Sequence, residues 1–280
     1  MMLPDENQSS TNPRPEPETL VKGSVEPPRR AFDQLAIFLD LDGTLAPIVP
    51  TPDKARVSSA TIHLLERIFI ACHGALAIVS GRDAAGIERL LAPLRLPYAA
   101  LHGAELKDPN GEIKTIDVPQ DKLSEIVAVV EKAMASLPGT IVERKSLSVA
   151  LHYRNAPQFQ QDIYRLAESA LKDHERHFEI QEGKMVIEIK PRHASKGAAI
   201  KHFMNMVPFQ GRVPVFAGDD LTDEAGFFVV NALNGITIKV GEGPTIAQWR
   251  LDDTEALSTW LHTLFVVKGH SGDRVSTNKG

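Results

Sequence analysis

Cysteine is nearly absent. The 280 residues carry one, Cys72, so no disulfide can form within the chain, and that fits a reducing, cytoplasmic compartment. Long apolar runs are missing as well. No stretch approaches the roughly 18 consecutive apolar residues of a membrane helix, which argues against a spanning segment. An excess of one charge is also lacking: the net charge of -5 gives no basic footprint for nucleic acid and no polybasic patch for lipid. No internal repeat is found. The opening "MMLPDENQSSTNPRPEPETLVKGSVEPPRR" is nearly free of large apolar groups and has no apolar signal-peptide core, so residues 1–32 are expected to form a disordered tail. The polar end, 267–280, is expected to be a second, flexible tail.

Between the tails the composition permits a large core, with 42% apolar and 24% charged residues. "LAIFLDL" is an unbroken apolar run, the mark of a strand buried on both faces. "SSATIHLLERIFIA" repeats apolar groups at helical spacing behind a serine cap. "ALAIVSGR", "DAAGIERLLAPL" and "YAALHGAEL" continue as strand, helix, strand. This βαβαβ order predicts a parallel sheet with helices on both faces.

From about residue 111 the pattern changes. Asn110-Gly111 marks a hairpin turn. A helix with Leu123, Ile126, Val130 and Met134 on one face follows. "LSVALHYR" alternates cleanly between Leu147, Val149, Leu151, Tyr153 and Ser148, Ala150, His152, Arg154. "HFEIQEGKMVIEIKP" reads as a second hairpin, turning at Glu182-Gly183. After Pro191 the parallel pattern returns. The expected fold is therefore α/β, a Rossmann-like parallel core in two pieces, 33–110 and 191–266, with an inserted α+β cap over 111–190. Two linkers between these units suit a hinge over a cleft.

Acids collect where the parallel strands should end, the place where such sheets bind ligands. Asp40 and Asp42 follow the first strand; Asp219, Asp220 and Asp223 follow a later one. Carboxylates this close repel one another unless a cation intervenes. A donor set of oxygens without cysteine or histidine suits Mg2+.

"DLDGT", Ser80 after the second strand, Lys196, and "GDDLTD" resemble, in order, the four motifs of haloacid-dehalogenase-type phosphatases. The resemblance implies roles. Asp40 would be the nucleophile, and Asp42 would protonate the leaving alcohol and then deprotonate water. Lys196 would neutralise Asp40 and hold phosphoryl oxygens with Ser80, Gly81, Arg82 and Thr44. Asp40, Asp42 (through its backbone carbonyl), Asp219, Asp220 and Asp223 would serve Mg2+. An acid at position 42 and the missing membrane segment argue against an ion pump. The segments "LHGAE", "ERKSLSVALHYR", "EGKMVIEIKP" and "GDDLTDE" are similar to those of trehalose-6-phosphate phosphatases. That likeness implies that Glu143, Lys145, Glu188 and Arg154 meet the sugar or its phosphate. His102 and Gly103 sit at the third strand end as further candidates, and His152 is either a contact or a sheet-surface residue. A sugar-phosphate substrate and a monomer without nucleic-acid or membrane partners are expected. Another sugar phosphatase, a phosphomutase, or a sugar-phosphate binding module remain the alternatives.

Overall fold

The computed structural model describes residues 26–49 and 54–267. Of the expected tails 1–32 and 267–280, residues 1–25 and 268–280 lie outside the described residues. Residues 26–32, counted with the first tail, are not one: Pro27, Ala31 and Phe32 are buried. Trp260 donates its indole N–H to the Pro27 carbonyl at 3.0 Å, and the Phe32 ring packs on Phe265 at 4.6 Å.

Strand β1 (Leu35–Leu39) is buried at every position, as its unbroken apolar run requires. Next come α1 (Ser59–Ala71), β2 (Leu76–Val79), α2 (Ala84–Leu91) and β3 (Tyr98–Ala100). Ser58 and Asp83 cap the two helices with side-chain oxygens that accept N–H groups of the first turn. "YAALHGAEL" is not one strand. A helical turn at Leu101–Gly103 breaks it, and the chain returns as β4 (Glu105–Lys107), antiparallel to β3. The Asn110-Gly111 hairpin forms between β4 and β5 (Ile113–Thr115) but extends the large sheet, so residues 113–115 pair with the core rather than with the insert.

Helix α3 (Gln120–Met134), β6 (Ile141–Arg144), β7 (Val149–His152), α4 (Gln160–Leu171), β8 (Phe178–Gly183) and β9 (Val186–Pro191) follow. They make an antiparallel sheet in the order β6-β7-β9-β8, with both helices on one face. The β8–β9 turn sits at Lys184-Met185, not Glu182-Gly183. Met185 takes the left-handed conformation, with φ +64°, while Gly183 stays in strand pairing opposite Val186. A Cβ on Gly183 would lie 3.2 Å from the Asp220 carboxylate, so a glycine there lets the hairpin tip meet the large-sheet unit.

The chain then returns through α5 (Lys196–Phe203), β10 (Val213–Gly218), α6 (Glu224–Ala232), β11 (Ile236–Val240), β12 (Trp249–Leu251) and α7 (Thr254–Thr263). The large sheet runs β12-β11-β10-β1-β2-β3-β4-β5, parallel from β12 through β3. The winding reverses between β1 and β10, so the crevice at their carboxyl ends is the topological switch point. Among the described residues no helix is long and apolar enough to cross a membrane.

Phe38 and Phe216, register partners on β1 and β10, carry the packing beneath that crevice. Phe38 stacks on Phe209 at 5.3 Å beside Phe203 of α5, and Phe216 packs on Phe227 of α6 at 5.2 Å. Helices α5 and α6 meet so closely that a Cβ on Gly197 would lie 2.3 Å from the Ala225 carbonyl and 2.9 Å from Val229. Alanine in a helix is favoured over glycine by about 1 kcal/mol. Overpacking against backbone costs about 1–3 kcal/mol or more and wins here. Gly197→Ala is therefore expected to lower Tm by several degrees in thermal melts; an unchanged or raised Tm would show that the helices can separate freely.

Candidate active site

Asp40 is the first residue past β1, and its N–H donates to the Ala217 carbonyl of β10 at 3.0 Å. That bond fixes the carboxylate at the switch point. Leu41 is fully buried, and its carbonyl accepts the N–H groups of Leu45 and Ala46, which turns the chain sharply. Gly43 completes the turn with φ +80°, and a Cβ there would lie 2.1 Å from Asp219 Oδ2. Gly43 thus provides both the conformation and the room for a facing acid.

The carboxylates of Asp40, Asp219 and Asp223 lie within 4.8 Å of one another. Lys196, at the start of α5, donates to Asp40 Oδ1 and Asp223 Oδ1, both at 2.7 Å. Asp223 is also held by the Asp220 N–H at 2.9 Å. Asp40 and Asp223 therefore share one ammonium, with Asp219 beside them. Burial drives the Asp40 carboxyl well above its usual pKa range against the pull of Lys196, and Asp223 and Asp219 push the same way. Asp219 is pushed up to about 7 by burial first and Asp223 second. Burial works against the Lys196 charge, but Asp223 and Asp40 outweigh it and raise its pKa. Carboxylates this close repel one another, and oxygen donors at this spacing fit a divalent ion.

Asp42, expected to serve the metal through its backbone carbonyl, and Asp220 both hold other partners with their side chains. The Asp42 carboxylate is gripped by both arms of Arg82, at 2.6 and 2.7 Å, in a bidentate pair. Its side chain is 41% exposed and faces the cavity rather than the cluster. Arg82, expected on phosphate, is here engaged by that acid. Asp220 instead accepts the N–H of Leu221 and, through Oδ2, the N–H of Lys184 at the β8–β9 tip. Thr44 is fully buried with its hydroxyl 3.5 Å from Asp40 Oδ2, beneath Asp40 rather than beside the cavity. Lys239, unmarked in the sequence reading, is buried at the end of β11 and donates to the Asp219 carbonyl. A lysine inside a short, mostly apolar parallel strand was the available signal.

A cavity of about 700 Å3 rises from this floor to the helix-free face of the small sheet. Period-two alternation decides which groups reach it. Val149, Leu151 and Tyr153 are buried in the core, while Ala150, His152 and Arg154 line the cavity. His152 pairs with Glu143 at 2.7 Å across β6 and β7. Glu188 is nearly fully buried. Its Oε1 accepts from Ser148 at 2.6 Å and Lys145 at 3.1 Å, and its Oε2 faces His102 Nε2 at 3.0 Å. Burial raises the Glu188 pKa, but Lys145 and His102 outweigh it and hold the group well below the usual carboxylate range. Burial lowers the pKa of His102, which keeps the ring neutral. A neutral ring that donates through Nε2 leaves Nδ1 bare, and Nδ1 has no hydrogen-bond partner. Gly103, expected at the substrate, packs instead toward the Ser195 carbonyl, which a Cβ would approach to 2.9 Å.

The family model described as Trehalose-phosphatase matches residues 38–255. The chain is 43% identical over 229 residues to a trehalose-6-phosphate phosphatase of Escherichia coli (strain K12), spanning 82% of this chain and 86% of that one. Among solved structures, a trehalose-6-phosphate phosphatase related protein superposes with a TM-score of 0.69 at 30% identity, over 83% of this chain and 97% of the other. A haloacid dehalogenase-like hydrolase from B. subtilis shares the fold at 15% identity, with a TM-score of 0.58 over 82% and 99% of the two chains.

Proposed function

Because the chain belongs to the trehalose-phosphatase family, within the haloacid dehalogenase superfamily, we propose that its cavity hydrolyses trehalose 6-phosphate to trehalose and phosphate. The large-sheet unit would supply the chemistry and the small-sheet unit the cap, in a cytoplasmic monomer. The observation that carries this reading is the cluster of Asp40, Asp219 and Asp223 on the cavity floor, with Lys196 bonded to Asp40 and Asp223.

Asp40 would attack phosphorus through a carboxylate oxygen and form an aspartyl-phosphate. Asp42 would give a proton to the departing sugar oxygen, then take one from the water that attacks the phosphoryl group. To do so it must leave the Arg82 fork, and a phosphoryl group entering beside Ser80 offers Arg82 a second anion to grip. Lys196 would keep Asp40 ionised and neutralise charge on the phosphoryl oxygens. Asp40, Asp219 and Asp223 would hold Mg2+, with Asp220 and the carbonyl of Asp42 nearby; the ion supplies Lewis-acid stabilisation of phosphoryl charge. Glu143, Arg154 and Gln181, which line the cavity above, would bond the sugar hydroxyls.

Phosphate release from trehalose 6-phosphate, glucose 6-phosphate and sucrose 6-phosphate checks the substrate. A preference of roughly 100-fold or more for the first is expected, since a site built for hydroxyls penalises each one missing or misplaced. Equal rates on all three sink the disaccharide reading. EDTA is expected to stop turnover and Mg2+ to restore it; turnover that survives the chelator excludes the metal.

A further inference from the structure

We propose that Lys145 of the small sheet is a positioning residue for the phosphate-holding loop Ser80–Arg82, so that docking of the cap completes the phosphoryl site. Three consecutive carbonyls of this loop are each held. Ser80 O accepts the His102 N–H and Arg82 O accepts the Leu101 N–H, both at 2.9 Å. Gly81 O, between them, accepts the Lys145 ammonium at 2.9 Å, and that donor comes from the other unit. The two backbone donors are themselves constrained. Leu101 and His102 have φ of +49° and +58°, left-handed positions that cost a side chain energy and persist only where the surroundings enforce them.

The Gly81 carbonyl and the Arg82 N–H belong to one planar peptide unit. Fixing the oxygen with Lys145 fixes the N–H on the opposite side, where it donates to Ser80 Oγ at 3.2 Å. With that lone pair taken, the Ser80 hydroxyl is free to donate its own hydrogen to a phosphoryl oxygen. Lys145 thus sets the polarity of a group it does not touch. The loop has no slack, because a Cβ on Gly81 would lie 2.6 Å from the His102 ring. Glu188 ties the assembly together, accepting from Lys145 and from His102. A buried lysine–glutamate pair adds little stability over apolar residues of the same volume. A donor long enough to reach Gly81 O across the cleft is a reason for this pair that apolar packing cannot supply.

The inference rests on Ser80 acting as a phosphoryl-oxygen donor in the proposed reaction, so the test uses a phosphate ester without a sugar. Lys145→Met is compared with the unaltered chain on p-nitrophenyl phosphate and on trehalose 6-phosphate, with Mg2+. The expected result is a kcat loss of on the order of 10- to 100-fold shared by both esters, with inhibition by orthovanadate weakened by a similar factor. A loss confined to trehalose 6-phosphate overturns the proposal and makes Lys145 a sugar contact. An unchanged orthovanadate constant also overturns it, since partial unfolding lowers kcat without altering the affinity of the folded fraction. If leaving Glu188 unpaired unfolds the single variant, Lys145→Met with Glu188→Gln removes both charges and is read the same way. Should the unaltered chain cleave p-nitrophenyl phosphate but spare trehalose 6-phosphate, the disaccharide reading fails while the loop comparison still stands. If it cleaves neither, orthovanadate affinity alone decides.

Discussion

Asp40→Asn abolishes phosphate release without weakening the fold. The expected loss in kcat is roughly 10^4- to 10^6-fold, the scale on which removing a covalent nucleophile acts. An amide oxygen can still accept from the Lys196 ammonium that now sits 2.7 Å from Oδ1, so the local geometry has a reason to persist. The charge balance improves as well. Asp40 is buried beside Asp219 and Asp223, and burial and both of these acids raise its cost of ionisation. Exchanging one of three clustered carboxyls for a neutral group relieves repulsion in the metal-free protein, so Tm is expected to hold or rise. Activity and stability then move in opposite directions, which a merely damaged protein does not show. Calorimetric titration with trehalose 6-phosphate should still register binding. Turnover above about one hundredth of the original would place the nucleophile elsewhere.

The parts of this molecule that sequence makes legible are those written by periodicity and by local turn chemistry. The unbroken run of β1, the alternation of β7 and the serine cap of α1 each act within a few residues, and each has its expected structure. The acids at strand ends were legible for the same reason, since a buried parallel strand has no other use for a terminal carboxylate. Pairing partners were not. Asn110-Gly111 specifies a hairpin but carries no information on which sheet it joins, so β5 was assigned to the wrong neighbour. The short strands β6 and β12 are too brief and too exposed to show a pattern. Gly183 drew the turn assignment as the residue best suited to a reversal, yet its value lies in letting Asp220 approach. The grip of Arg82 on Asp42 spans 40 residues and that of Lys145 on Gly81 spans 64, distances over which only the folded chain decides who meets whom. The charges were visible in sequence; their partners were a property of the cleft.

Lys196→Met is expected to cost both activity and stability, and the two losses separate by pH and by metal. The ammonium is buried between Asp40 and Asp223 at 2.7 Å from each. Taking one partner out of a buried ion cluster costs about 3–5 kcal/mol, because the remaining charge keeps its desolvation penalty and loses its compensation. For a chain of this size that is a fall in Tm of about 6–20 °C at pH 8 without metal. The Lys196 pKa is raised in the fold, so its contribution is fully present below the unfolded value of about 10.4 and disappears only as pH rises through the higher folded value. Nothing in the neutral range is lost by deprotonating it. Asp219 titrates in that range instead. The folded pKa of Asp219 is raised to about 7, chiefly by burial, so the folded state binds more protons than the unfolded one between about pH 4 and 7. Stability must then fall as pH rises through that window. Without the ammonium Asp40 and Asp219 hold protons more firmly still, so the Tm deficit of the variant is expected to shrink at pH 6 and to shrink again when Mg2+ is added at pH 8. Activity does not return with it, because no cation then faces the phosphoryl oxygens from α5, and a loss of roughly 10^3-fold should persist in the refolded, metal-loaded variant. Scanning calorimetry at the two pH values, with and without Mg2+, reads the first effect and phosphate release the second. A variant that melts within a degree of the original at pH 8 without metal would mean that Lys196 does not balance the acids, and its place beside Asp40 would then need an explanation from catalysis alone.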